Sequence, residues 1–154
     1  MSITIEPARR SDIPQLADLL NNLFDIELDF TADASRQIRG LELLITEAAK
    51  SDRQIVAVAR DEQGRPVGIA SGQIVISTAE GAFSVWIEDV VVHAEHRRQG
   101  VGRQLIEFLR EWSGQRGVTR MQLVADQENE GAGQFYATLG WQPTQLVVRR
   151  RSVE

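Results

Sequence analysis

The stretch Val90-Val91-Val92-His93-Ala94-Glu95-His96-Arg97-Arg98-Gln99-Gly100-Val101-Gly102 holds residue types suited to gripping a phosphate. An apolar run ends, a short basic segment follows, and two glycines open an amphipathic helix with Leu105, Ile106, Leu109 and Trp112 on one face. The first N–H groups of a helix have no partner within it and lie at the positive end of its dipole. Glycines there let an anion reach the backbone without meeting a Cβ. Arg97 and Arg98 add positive charge at the same turn. A solvated loop shaped by its glycines is the plainer reading, but the position between an apolar strand and a helix favours a diphosphate cradle. Gly102 precedes Arg103-Gln104, whereas a nucleoside-triphosphate loop needs Gly-Lys and then Ser or Thr. A dinucleotide fingerprint needs a third glycine or alanine where this chain has Leu105, and it opens a βαβ unit.

The elements around this turn follow from periodicity. Ile3 to Glu6 alternates as a short strand, and Asp12 with Pro14 and Gln15 starts a helix over about 12–24. A second helix covers about 34–50, with Ile38, Leu41, Leu44, Ile45 and Ala48 in one stripe. Gln54–Arg60, Val67–Ser77 and Phe83–Val92 are strands on short turns, read as an antiparallel meander. After the helix opened at Gly100 come a strand at Met121–Val124, a helix over about 129–139 and a last strand at Leu146–Arg150. The expected fold is a mixed α/β domain in the order β-α-α-β-β-β-α-β-α-β, with residues 1–154 as one domain.

Composition narrows the function. With 154 residues, 42% apolar and 25% charged, the chain has an ordinary globular balance. A net charge of −5 gives no reason to expect nucleic acid as a partner. No cysteine is present, which excludes thiolate metal sites and cysteine nucleophiles, and His93 and His96 alone do not make a zinc site. No apolar run reaches membrane-spanning length, and the N-terminus lacks a basic segment followed by an apolar one. No metal, no membrane and a cytoplasmic location are the expectations.

At Arg97-Arg98-Gln99-Gly100-Val101-Gly102 the sequence resembles the GNAT superfamily of N-acetyltransferases, whose acetyl-CoA motif is Arg or Gln, two residues, Gly, one residue, then Gly or Ala. Asn129, Phe135-Tyr136 and Leu139-Gly140-Trp141 match the family's later block, and the order of elements agrees over nearly the whole chain. The resemblance implies acetyl-CoA as cosubstrate across a sheet splayed near 85–92 and 120–125, with a bulge in the strand before the cradle. Backbone groups of Val90, Val91 and Val92 would then pair with the pantetheine arm. Arg97, Arg98, Gln99, Gly100, Val101, Gly102 and Arg103 would surround the pyrophosphate, and Asn129 would cap its helix and contact the coenzyme.

The reaction implied is direct attack of an amine on the thioester, without a covalent enzyme intermediate. A lysine-like amine has a pKa near ~10.4, so a base must take its proton. Glu88 and Asp89 precede the cradle on one strand, where neighbours point to opposite faces. Glu88 is the preferred base, directly or through water, and related glucosamine-phosphate acetyltransferases carry a similar Glu-Asp pair there. Tyr136, the one tyrosine, corresponds to the family's proton donor to the departing thiolate. Free phenols and thiols differ by about 1.5 pKa units, so full transfer is uphill by roughly 2 kcal/mol. A hydrogen bond that strengthens as charge grows on sulfur is easier to justify.

Gly131 and Gly133 in the last helix suggest close approach of the coenzyme or of a packed neighbour. Asp25, Glu27, Asp29 and Asp33 lie where relatives often carry the acceptor loop, though solvated surface is the simpler reading of a charge run; Phe24, Phe30 and Trp86 could line a pocket, and core packing explains them as well. Arg149-Arg150-Arg151 is most simply a solvated terminus. The partner expected is a small-molecule or peptide amine, and relatives are often homodimers. The rivals are a non-catalytic acyl-CoA-binding module and a structural protein that dimerises through its sheet edge.

Overall fold

The computed structural model describes residues 2–26 and 33–154, which fall into two compact units, 1–124 and 125–154. The first holds five strands: β1 (Thr4–Pro7), β2 (Gln54–Arg60), β3 (Pro66–Ser77), β4 (Ala82–Val92) and β5 (Val118–Leu123). Its helices are α1 (Ile13–Ile26), α2 (Ala34–Ser51) and α3 (Val101–Gly114). The sheet order is β1-β2-β3-β4-β5. β1 to β4 form the expected antiparallel run, and β5 lies parallel to β4. A parallel neighbour needs a crossover, and α3 supplies it. The second unit holds α4 (Glu130–Thr138).

The two sheet faces bury different helices. On one, Leu16, Leu20 and Leu41 of α1 and α2 pack with Val56, Val58, Ile69 and Val91. On the other, α3 buries Val101, Leu105, Leu109 and Trp112, each contributing roughly 1.5–3 kcal/mol. Two glycines let α3 come close: a Cβ on Gly68 would lie 3.2 Å from Leu105 Cδ1, and one on Gly72 3.3 Å from Val85 Cγ2 and 3.7 Å from Leu109 Cδ2. That approach fixes where the N-terminus of α3 stands relative to β4.

The last expected strand is corrected. Residues 146–150 form no strand, and Leu146, Val147 and Val148 are exposed. A short β-branched apolar run cannot make a strand where no ladder partner satisfies the backbone. Among the described residues no helix is long and apolar enough to cross a membrane, and no group of three metal-ligating side chains occurs.

A buried ion cluster ties β1 and the turn before α1 to β2. Arg60 donates from Nε to Glu6 (2.6 Å) and from its two terminal nitrogens to Asp12 (2.8 and 2.7 Å). The Arg60 bond chiefly holds the Asp12 carboxyl below the ordinary range; burial opposes it, and the Arg9 amide at 2.7 Å adds to it. A lowered folded pKa means stability that is full above the unfolded value and lost as pH falls through the folded one. Asp12→Asn should therefore lower stability by about 2 kcal/mol at neutral pH. Denaturant titrations of variant and parent should converge only as pH falls well below the ordinary carboxylate range, once the parent's carboxylate is also protonated.

Candidate active site

β4 is interrupted where the chemistry was expected. Ile69 pairs with Val91 but Ser71 with Glu88, so three steps along β4 answer two along β3. The extra residue makes a bulge, and Asp89 within it has φ 59°, a left-handed conformation that Asp tolerates better than most side chains. The Ser71 hydroxyl, 1% exposed, donates to the Glu88 carbonyl at 3.1 Å. A side chain thus fills the place of a lost ladder bond and fixes the backbone beneath Glu88. Glu88 itself is exposed and Asp89 half-buried.

Beyond the bulge β4 parts from its other neighbour. β5 pairs with β4 only as far as Ile87 opposite Leu123, whereas β4 runs on to Val92. The His93 amide donates to the Val67 carbonyl at 2.8 Å. By the alternation of an antiparallel ladder, Val91 and His93 bond to β3, and the peptide groups of Val90 and Val92 face the edge β5 has left. There the Val92 carbonyl accepts from Arg97 Nε at 3.0 Å. Val91 packs in the α1–α2 core, while Val90 and Val92 are half-buried. An open strand edge of this kind accepts an extended amide-bearing chain as an added strand.

The cradle follows directly. A short turn over 94–96 holds the amides of His96 (to His93 O, 2.8 Å) and Arg97 (to Ala94 O, 3.4 Å). The next amide with a protein acceptor is that of Gln104, bonded to Gly100 O at 3.0 Å. Among the described residues the amides of Arg98, Gln99, Gly100, Val101, Gly102 and Arg103 have none. Arg98 (φ 61°) and Gly100 (φ 82°) are both left-handed. Left-handed residues within such a turn gather successive N–H groups into a concave anion site. Arg97, Arg98, Gln99, Gly100 and Arg103 are exposed and Gly102 half-buried. Val101 is 1% exposed, so its side chain anchors α3 in the core and only its amide is free for a ligand.

The second unit carries the other two candidates. Asn129 caps α4, its Oδ1 accepting from the Ala132 amide at 3.1 Å. Tyr136 is half-buried, with edge-to-face contacts to Phe135 (5.0 Å) and Trp141 (5.8 Å). Within the second unit a Cβ at Gly131 would meet only Asn129 Oδ1 at 3.6 Å, and one at Gly133 nothing within 4 Å, so packing inside that unit does not account for these glycines. On the acceptor side, Asp33 caps α2 by accepting from the Ser35 and Arg36 amides. Glu27, Asp29 and Phe30 lie outside the described residues, as do the side chains of Phe24 and Asp25. Sequence reasoning missed Ser71, which nothing in the strand's pattern sets apart from Gln73 and Ser77 before the ladder is drawn.

The model of the acetyltransferase (GNAT) family matches residues 17–141. The uncharacterised N-acetyltransferase YobR of Bacillus subtilis is 38% identical over 71 residues, 43% of this chain and 29% of YobR. The matched stretch thus spans less than a third of that relative's length. Among solved structures, a possible acetyltransferase from Clostridium difficile 630 superposes with a TM-score of 0.83 at 20% identity, covering 100% of this chain and 99% of the other. Glucosamine-6-phosphate N-acetyltransferase from Arabidopsis thaliana gives 0.76 at 21% identity, covering 98% and 99%. At these identities the superpositions speak for the fold, mixed α/β as the sequence predicted.

Proposed function

The chain belongs to the acetyltransferase (GNAT) family, and from that premise we propose that it moves an acetyl group from acetyl-CoA to the amine of a small molecule or peptide in one direct step. The observation that carries this reading is the run of six unpartnered amides from Arg98 to Arg103 at the N-terminus of α3, flanked by arginines. The diphosphate of acetyl-CoA fits it in charge and in hydrogen-bond sense, and the open β4 edge at Val90 and Val92 suits the amides of the pantetheine arm.

Glu88 takes the amine's proton, directly or through one water, and so generates the neutral nucleophile. Tyr136 donates a hydrogen bond to the departing sulfur, and Asn129 joins the coenzyme's contacts through its capped helix; both roles are carried over from the family's motif. Calorimetry with acetyl-CoA, followed by thiol-release assays across amino acids, polyamines, amino sugars and peptide N-termini, tests the reading. Binding without release for any amine would leave a non-catalytic acyl-CoA module, and no binding would remove both. Tyr136→Phe should lower kcat about tenfold while the KM for acetyl-CoA stays within about twofold. An unaltered kcat would take the role away from this hydroxyl.

A further inference from the structure

A second cleft opens at the end of α3 away from the cradle. Ser51, Asp52, Arg53, Ile74, Phe83 and Arg116 line it, and it encloses about 220 Å³. That is the share of roughly seven waters in the liquid, room for a small metabolite. α3 is 14 residues long, so its two ends stand about 21 Å apart. A molecule in this cleft would touch neither the cradle nor the open β4 edge.

Rings hold both arginines in place. The Arg53 guanidinium lies 4.5 Å from the centre of the Phe83 ring, exposed and, among the described residues, without a hydrogen bond or a carboxylate partner. Arg116 lies 4.4 Å from the Trp112 ring and donates to the Trp112 carbonyl and to Asp52 Oδ1, each at 2.9 Å. Its Nε is nevertheless buried with no partner. Buried donors are normally paired, so the protein alone leaves this cleft short of acceptors.

The same cleft also favours positive charge. α2 ends there at Ser51 and α3 at Gly114, and helix C-termini carry partial negative charge. The Asp52 side chain is 73% exposed, and among the described residues only its Oδ1 is engaged, by Arg116. A simple anion would gain from Arg53 and lose against Asp52 and the helix ends, and a simple cation the reverse. A small molecule carrying both charges suits all of them. Buried Ile74 and half-buried Phe83 add apolar surface for its body.

We propose that this cleft is a second binding site, for a free α-amino acid with an aliphatic side chain. The carboxylate accepts from the Arg53 fork and adds an acceptor beside Arg116, the ammonium donates to Asp52, and the side chain covers Ile74 and Phe83. The site is independent of the acetyltransferase reading.

Amide NMR of the full chain titrated with L-leucine tests it. Saturable shifts should gather at residues 51–53, 74, 83 and 116 and leave 98–103 unmoved, with a Kd below about 1 mM. Isocaproate, which lacks the ammonium, and isoamylamine, which lacks the carboxylate, should each bind about tenfold more weakly, the worth of one charge-assisted hydrogen bond. Arg53→Met keeps an unbranched stem against Phe83 and should weaken L-leucine at least tenfold. Asp52→Asn, at a φ of 55° that asparagine tolerates, should weaken L-leucine about tenfold and leave isocaproate within about twofold. The Kd for acetyl-CoA should be unchanged in both variants. No saturation by about 10 mM L-leucine, shifts centred elsewhere, equal affinity for isoamylamine, or undiminished binding in Arg53→Met would each overturn the site.

Discussion

Gly100→Val should weaken acetyl-CoA binding by about 100-fold and lower the melting temperature by only about 5 °C. A Cβ at this exposed position would meet nothing within 4 Å, so no steric overlap disturbs the fold. The effect comes from φ, which is 82°. A left-handed conformation costs an L-residue about 1–2 kcal/mol, and a β-branched one more. Valine relieves that strain by rotating the turn, which withdraws the neighbouring amides from their common focus. Losing one charge-assisted hydrogen bond, at roughly 1.5–3 kcal/mol, and loosening a second accounts for the predicted loss. Gly100→Asn separates conformation from contact, because asparagine enters the left-handed region readily. It should restore the turn and most of the affinity that valine removes. Calorimetry that finds the valine variant binding normally would discredit the cradle.

Much of this architecture is legible in the sequence, for identifiable reasons. The helix starting at Gly100 shows itself because a glycine at a strand-to-helix turn, followed by apolar residues three and four apart, leaves few alternatives. β2 matches its expected bounds of Gln54–Arg60, and α2 ends one residue beyond its expected end. Short turns with Gly64 and Gly81, both left-handed, delimit the meander. What periodicity cannot give is pairing. Met121–Val124 reads as a strand, yet nothing in it says that β5 (Val118–Leu123) lies parallel to β4 or stops pairing at Ile87. Strand register depends on contacts distant in sequence, so the pairing of Trp86 with Gln73 and Gln122 becomes visible only after folding.

The bulge belongs to a middle class. The family resemblance predicts it, and the chain marks it with Asp89, but its counterpart Ser71 is silent until the ladder is drawn. The same holds for Arg60, whose two carboxylates come from Glu6 and Asp12, far away in sequence. Leu146–Arg150 is the reverse case, where a pattern suited to a strand meets no ladder. An apolar run states what a segment could bury, and only a partner makes it a strand.

Glu88→Gln should reduce kcat by about 100-fold or more, the usual scale for a lost general base, with acetyl-CoA affinity unchanged. Glu88 stands one residue past Ile87, the last β4 residue paired with β5, and its side chain is exposed at the point where the strands part. Glutamine keeps the shape and the Ser71 bond to the backbone carbonyl, so the substitution removes the proposed proton acceptor and little else. The variant's residual rate should climb with pH toward the amine's own pKa, near ~10 for a lysine-like group, because solvent must then supply the free base. Asp89→Asn is the informative contrast. Asparagine tolerates φ 59° as aspartate does, so the bulge survives while the second carboxylate is lost. Its kcat should fall by no more than about threefold if Glu88 is the base as proposed, with Asp89 serving the bulge. A larger loss in Asp89→Asn than in Glu88→Gln would move the base by one residue. An unchanged rate in both would mean that a water, held by other groups, accepts the proton.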